Sequence, residues 1–324
     1  MRRRALICGV SGQDGAYLAA SLLDKDYEVC GTSRDAQLAS FAGLRELGIH
    51  HRVQLESMTL TDFRSVLQVL TKFSPDEVYN LAGQSSVALS FQQPVETLES
   101  IATGALNLLE AIRFRGGTAR LYNASSSECF GELGDEPANE TTAFHPRSPY
   151  AVAKAAAHWE VVNYRDAYGL FACSGILFNH ESPLRPERFV TRKVVAAAVR
   201  IAAGGDERLR LGDLSVERDW GWAPEYVEAM WKMLQENRPE DFVIATGSTS
   251  TLESFVETAF GCLGLDWRRH VELDDTLKRP ADLRKSRADP SKAARVLNWS
   301  ATMRMKDVVA QMIRAEQARF HGRK

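Results

Sequence analysis

Short apolar runs alternate with longer amphipathic stretches through the first half of the chain. The runs Ala5–Cys8, Glu28–Thr32, Val53–Glu56, Glu77–Leu81, Arg120–Ala124 and Phe171–Leu177 have the length and content of buried strands. Between them, stretches near Gly15–Leu23, Thr61–Lys72, Pro94–Phe114 and Ser148–Tyr168 read as helices. After Leu177 the rhythm becomes irregular. A loop over Asn179–Arg188 is followed by a helix near Val190–Ala203, a short strand at Leu209–Leu211, and helices near Pro224–Gln235, Leu252–Leu263 and Lys306–Arg319. Phe242–Ala245 reads as a strand returning to the first sheet.

Strands alternating with helices predict βαβ units and hence an α/β fold, a doubly wound parallel sheet of Rossmann-like type with a smaller α+β lobe. The expected division is residues 1–178, with a return near 220–250, for the sheet domain, and 179–219 with 251–324 for the lobe. In such a sheet ligands sit outside the carboxyl ends of the strands, so the residues that follow strands carry the chemistry.

Composition narrows the partners. Of 324 residues, 40 Lys and Arg face 42 Asp and Glu, a net charge of -2, so no global basic field argues for nucleic acid or a membrane surface. Five scattered cysteines without Cys-x-x-Cys spacing fit reduced, mostly buried thiols of a cytoplasmic protein. Met1-Arg2-Arg3-Arg4 and the run Ala5 to Val10 resemble a signal start, but the run ends in a polar glycine turn and is too short to span a bilayer. No second histidine or cysteine stands at ligand spacing from His180, and no metal is expected.

The first strand leads into Gly9-Val10-Ser11-Gly12-Gln13-Asp14-Gly15, which opens the first helix. Glycines there allow a tight turn and close backbone approach to a pyrophosphate, which the helix N-terminus favours. After the second strand, Arg34 stands where an NAD enzyme usually places a carboxylate, and an arginine can accept a 2′-phosphate, which points to NADP. Asp35 beside it, and a plain solvated role for Arg34, stand against that choice. Tyr150 and Lys154 are four residues apart on one helix face, where an ammonium group favours the phenolate. The triplet Ser125-Ser126-Ser127 ends the fifth strand, and Glu128 follows. Once carbon 4 of a sugar is a ketone, its carbon-5 proton is acidified, and a carboxylate nearby can remove it and drive loss of the carbon-6 hydroxyl. The alternative for Glu128 is an ordinary loop acid. Trp159, Trp220, Trp222 and Trp231 are assigned to helix packing.

Together the blocks Gly9–Tyr17, Val78–Ser85, Pro146–Lys154, Gly175–Leu184, Phe189–Lys193, Arg218–Gly221 and Arg279–Pro280 resemble the extended short-chain dehydrogenase/reductase superfamily, and within it the GDP-mannose 4,6-dehydratase family. The resemblance implies redox-neutral dehydration of a GDP-sugar. It gives Ser126, Glu128, Tyr150 and Lys154 the active-site roles. It sets Gly9, Ser11, Gly12, Gln13, Asp14, Gly15, Arg34, Leu60, Leu81, His180 and Arg185, with Tyr150 and Lys154, along NADP. Ser85, Asn179, Lys193, Arg218 and Arg279 would hold the GDP-sugar. Ser126 stands where the family usually has threonine, Gly83 where it has alanine, and Asp282 where it has a longer acid. A heptose substrate, a 4-keto reductase or epimerase, and a non-catalytic NADP-binding protein are the alternatives. The resemblance also implies a homodimer or homotetramer, with the helices near Pro94–Phe114 and Ser148–Tyr168 paired between subunits.

Overall fold

The computed structural model describes residues 2–277 and 281–322. In chain order the first half runs β1 (Arg4–Cys8), α1 (Gln13–Asp24), β2 (Glu28–Ser33), α2 (Ala42–Glu46), β3 (Gln54–Ser57), α3 (Phe63–Phe73), β4 (Glu77–Asn80), α4 (Val87–Gln92), α5 (Pro94–Leu98), α6 (Gly104–Phe114), β5 (Arg120–Ser126), α7 (Pro149–Tyr168) and β6 (Ala172–Leu177). The rest comprises β7 (Asn179–Glu181), α8 (Val190–Ala202), β8 (Leu209–Leu211), β9 (Glu217–Trp222), α9 (Ala223–Gln235), β10 (Phe242–Ile244), β11 (Thr249–Thr251), α10 (Leu252–Gly261), β12 (Val271–Leu273), α11 (Ser291–Leu297) and α12 (Met305–His321).

Seven parallel strands form the central sheet in the order β3-β2-β1-β4-β5-β6-β10. Alternation along β1 shows why it is wholly apolar: Ala5 and Ile7 enter the core beneath α1 and α9, while Leu6 and Cys8 enter the core beneath α3 and α6. Both faces are covered, as a parallel sheet requires. Strand order reverses direction between β1 and β4, and the glycine turn leaves β1 at this switch point. A second core joins α8, α10, α12, β8 and Trp220, and β7, β9 and β11 form a small separate sheet.

Several elements differ from the sequence pattern. The stretch Pro94–Phe114 is not one helix: α5 passes through a π-helical turn at Glu99–Thr103 into α6, where Gly104 lies against Leu60. The expected loop Asn179–Arg188 begins as β7, paired in parallel with β9 through Asn179–Trp220 and Glu181–Trp222. β9 lacks an apolar run of its own because Arg218 and Asp219 occupy its centre. Trp220 is buried, whereas Trp159 on α7 is 58% exposed and sets its ring against Phe144 and His158. Four cysteines are buried and Cys262 is exposed.

Candidate active site

The turn after β1 is shaped by missing side chains. A Cβ on Gly15 would lie 2.5 Å from the Gly9 carbonyl oxygen, and one on Gly31 would meet Val10 at 2.5 Å. Gly9 itself has φ +85, which favours glycine. Gly12 caps α1 with no side-chain hydrogen bond, so the first-turn amides of the helix have no side-chain cap competing with an anionic ligand. These features fit a dinucleotide pyrophosphate. A cavity of about 370 Å³ adjoins the turn, lined by Ser11, Gly12, Gln13, Gly43, Leu184, Arg185, Arg192 and Arg319 among others.

Strand β7 clamps this turn from across the sheet. His180 Nε2 lies 2.9 Å from an Asp14 carboxylate oxygen, and its Nδ1 lies 2.7 Å from the Phe178 carbonyl. Both ring nitrogens face acceptors, so the protonated imidazolium satisfies both. Burial pushes its pKa down, but the Asp14 charge and the Phe178 carbonyl reverse this and leave it raised. Burial likewise pushes Asp14 up, and the charge and hydrogen bond of His180 bring it below its ordinary value. Ser182 donates to Gln13 at 2.7 Å, and Gln13 donates to the His180 carbonyl at 3.2 Å. Tyr226 stacks on the His180 ring, in space left by Gly221, where a Cβ would meet the tyrosine at 2.3 Å.

The second cluster lies at the carboxyl end of β5. Ser126 ends the strand and caps a 3₁₀ turn, Ser127–Phe130, by accepting from the Glu128 backbone N–H at 3.3 Å. Glu128 is thereby held half-buried at the second position after the strand. Helix α7 is started by Ser148, whose hydroxyl accepts from the Ala151 N–H at 3.1 Å, and by Pro149 at its first position. Such a cap is worth about 1 kcal/mol, and here it fixes the turn that carries Tyr150. The Tyr150 side chain hydrogen-bonds Ser126. Burial raises the Tyr150 phenol above its ordinary range, and that bond draws it back in part. Lys154, one turn later, donates to the Ala124 carbonyl at 2.7 Å and sits 5.8 Å from the Tyr150 ring centre. Burial lowers its pKa to about 8, with the charges of Cys129 and Asp14 opposing. Ser126, Glu128, Tyr150 and Lys154 are thus brought together, although β5 and α7 are separated by a long connection.

The remaining sequence candidates are more dispersed. Arg218 is buried, donates to the Glu217 carbonyl at 2.9 Å and pairs with Asp282 at 3.2 Å. Arg185 pairs with Glu181 at 3.3 Å and lies over the Phe189 ring at 3.8 Å. Lys193 reaches the Arg210 carbonyl at 2.7 Å. Asn179 begins β7, and Ser85 is exposed just before α4. The Leu60 carbonyl accepts from Asn107 at 2.7 Å, and the Leu81 amide donates to Cys8 at 3.0 Å at the end of β4. Arg34 is largely exposed and faces Glu96 at 3.5 Å. Asp35 does not compete with it, because its carboxylate accepts from the backbone N–H groups of Gln37 and Leu38 at 2.8 and 3.1 Å. Arg279 lies outside the described residues. Among the described residues no group of three His, Cys, Asp or Glu side chains could hold a metal ion, and no helix is long and apolar enough to cross a membrane.

The sequence pattern did not disclose the pairing of Asp14 with His180 or of Gln13 with Ser182. Their partners are over 160 residues apart, and only the polarity of the Gln-Asp pair at a helix start hinted at a buried contact.

The family model for GDP-mannose 4,6 dehydratase matches residues 6–312. A GDP-mannose 4,6 dehydratase of Arabidopsis thaliana is 49% identical over 322 residues, covering 96% of this chain and 86% of the relative. A GDP-mannose 4,6-dehydratase of Vibrio cholerae is 42% identical, covering 97% and 93%. Among solved structures, a dTDP-glucose 4,6-dehydratase of Streptomyces venezuelae superposes with a TM-score of 0.88 at 21% identity, covering 98% of each chain, and shares the fold. A family match across nearly the whole chain, on a fold that carries the glycine turn and the Ser-Glu-Tyr-Lys cluster, places this chain in the GDP-mannose 4,6-dehydratase family.

Proposed function

We propose that the protein converts GDP-mannose to GDP-4-dehydro-6-deoxy-mannose, with NADP as a retained cofactor. The observation that carries this reading is Glu128 on the turn capped by Ser126, the same hydroxyl that hydrogen-bonds Tyr150. A general base for the carbon-4 hydroxyl, Tyr150, and a carboxylate as second base for the carbon-5 proton, Glu128, thereby share one anchor. Family membership supports the GDP-sugar as substrate.

The cofactor falls to residues 1–178 with the return near 220–250, and the sugar nucleotide to 179–219 and 251–324. The turn Gly9–Gly15 suits the pyrophosphate, and Lys154 would hold the nicotinamide ribose. Arg34, with Asp35 turned onto its own loop, favours a 2′-phosphate over an unsubstituted ribose. When bound, the nicotinamide would supply the redox chemistry, taking hydride from carbon 4 of the sugar and returning it to carbon 6. Tyr150 accepts the carbon-4 hydroxyl proton, helped by the Lys154 ammonium. Ser126 orients the developing carbonyl. Glu128 accepts the carbon-5 proton and passes a proton to the departing carbon-6 hydroxyl, which leaves as water. The proton held by Tyr150 returns to carbon 5, so the net change is loss of one water. Arg218, Lys193 and Arg279 would hold the diphosphate, with Asn179 and Ser85 near the sugar.

A homodimer or homotetramer fits the surface. Val95 and Leu98 on α5, Phe114 on α6, and Val152, Trp159 and Tyr168 on α7 are all exposed. Large apolar side chains concentrated on neighbouring helices are the mark of a covered face.

Incubating the purified protein with GDP-mannose and no added reductant should yield the 4-keto product. Turnover of another sugar nucleotide with none of GDP-mannose would refute the substrate.

A further inference from the structure

Between the catalytic turn and β9 runs an extended segment, residues 281–288, which begins just beyond Pro280. On one side it pairs with the start of β9: Glu217 N–H donates to the Arg284 carbonyl at 2.7 Å, and Ser286 N–H donates to the Glu217 carbonyl at 3.1 Å. On the other side it meets the loop that leaves the Ser127–Phe130 turn. There the Glu132 carboxylate accepts from two successive backbone N–H groups, Arg284 at 2.7 Å and Lys285 at 3.2 Å. Asp135 pairs with Lys285 at 2.7 Å, and Ala138 forms a parallel bridge with Ala288. Ala288 also packs in one apolar cluster with Phe130, the last residue of the catalytic turn. The same segment carries Asp282, the partner of buried Arg218.

We propose that Glu132 is a positioning residue for the sugar nucleotide. By fastening residues 284 and 285 to the loop that leaves the Ser127–Phe130 turn, it holds the segment that carries Asp282 and so fixes Arg218, the partner of Asp282. The inference rests on the reading of Arg218 as part of a diphosphate clamp. A carboxylate that accepts two consecutive backbone N–H groups is a directional anchor, stronger than a bond between neutral groups. Asp135 adds a charge contact to the same segment, and its exposed position makes that contact weaker.

A clamp that holds the diphosphate holds ground state and transition state alike, so its disturbance appears in KM rather than kcat. The test compares Glu132→Ala and Glu132→Gln with the unaltered protein, measuring GDP affinity by calorimetry, NADP affinity by fluorescence, and kcat and KM for GDP-mannose. Glu132→Ala should weaken GDP and raise KM by at least about threefold, the loss expected of an exposed charge-assisted anchor, with kcat and NADP affinity unchanged. Glu132→Gln keeps one acceptor oxygen and should recover part of the loss. If Glu132→Ala folds poorly, Asp135→Asn should shift KM in the same direction by less. Unchanged GDP affinity and KM would overturn the proposal, as would equal losses of GDP and NADP binding, which mark a general loosening. Failure of the unaltered protein to bind GDP or turn over GDP-mannose would refute the functional reading instead.

Discussion

Lys154 offers a direct measure of how the candidate active site handles charge. The residue is 8% exposed, and burial lowers its pKa from the usual 10.5 to about 8. At about 1.36 kcal/mol per pH unit, that gap corresponds to about 3 kcal/mol of free energy spent on keeping the ammonium in place at neutral pH. The sign follows from proton counts. The folded pKa lies below the unfolded one, so between about pH 8 and pH 10.5 the unfolded chain binds more protons, and stability rises with pH across that window. Lys154→Met has no such proton. Its bond to the Ala124 carbonyl is lost at every pH, which offsets the curves without tilting them. Urea unfolding of both proteins without cofactor, at about pH 7.5 and about pH 10, should show the difference moving in favour of lysine by about 2 kcal/mol on going to the higher pH. A difference flat to within about 0.5 kcal/mol would show that the ammonium is not desolvated and would refute the reasoning. The functional corollary is that below about pH 8 the charge is retained near Tyr150, where it lowers the cost of ionising the phenol.

Three further outcomes follow from the same geometry. Glu128→Gln should bind the cofactor normally and lose product formation by about a hundredfold or more, the usual contribution of a positioned base; full turnover would show that another group removes the carbon-5 proton. Asp14→Asn leaves buried His180 facing no anion, so burial should dominate and the imidazole should titrate at lower pH, as read from its ring protons by NMR, with cofactor affinity falling about tenfold; an unmoved His180 titration would exclude the pairing. Trp159→Asp places a charge in the exposed apolar face of α7 and should reduce the proposed oligomer to smaller species in sedimentation; a monomeric unaltered protein would end that reading.

Much of this architecture is carried by local pattern. The central strands β1, β4, β5 and β6 are buried on both faces, so β1 and β6 show as mainly apolar runs whatever their neighbours. The glycine turn, the Ser148-Pro149 helix start and the spacing of Tyr150 and Lys154 are likewise properties of a few consecutive residues. Their meaning as a site could be read because a parallel sheet places the ends of its strands at one crevice. Tertiary structure alone decided what depends on distant partners. β9 escapes hydropathy because Arg218 and Asp219 are stabilised by Asp282 and by the amides of Thr246 and Ser248, not by apolar burial. The helical pattern of Pro94–Phe114 is periodic throughout, yet packing against Leu60 accompanies a π turn that no local preference signals. Asp14 and His180 read separately as a helix-start acid and a loop histidine. Only the fold brings them to 2.9 Å and makes them a part-buried ion pair, because the energy of such a pair depends on the distance and the dielectric that tertiary packing sets.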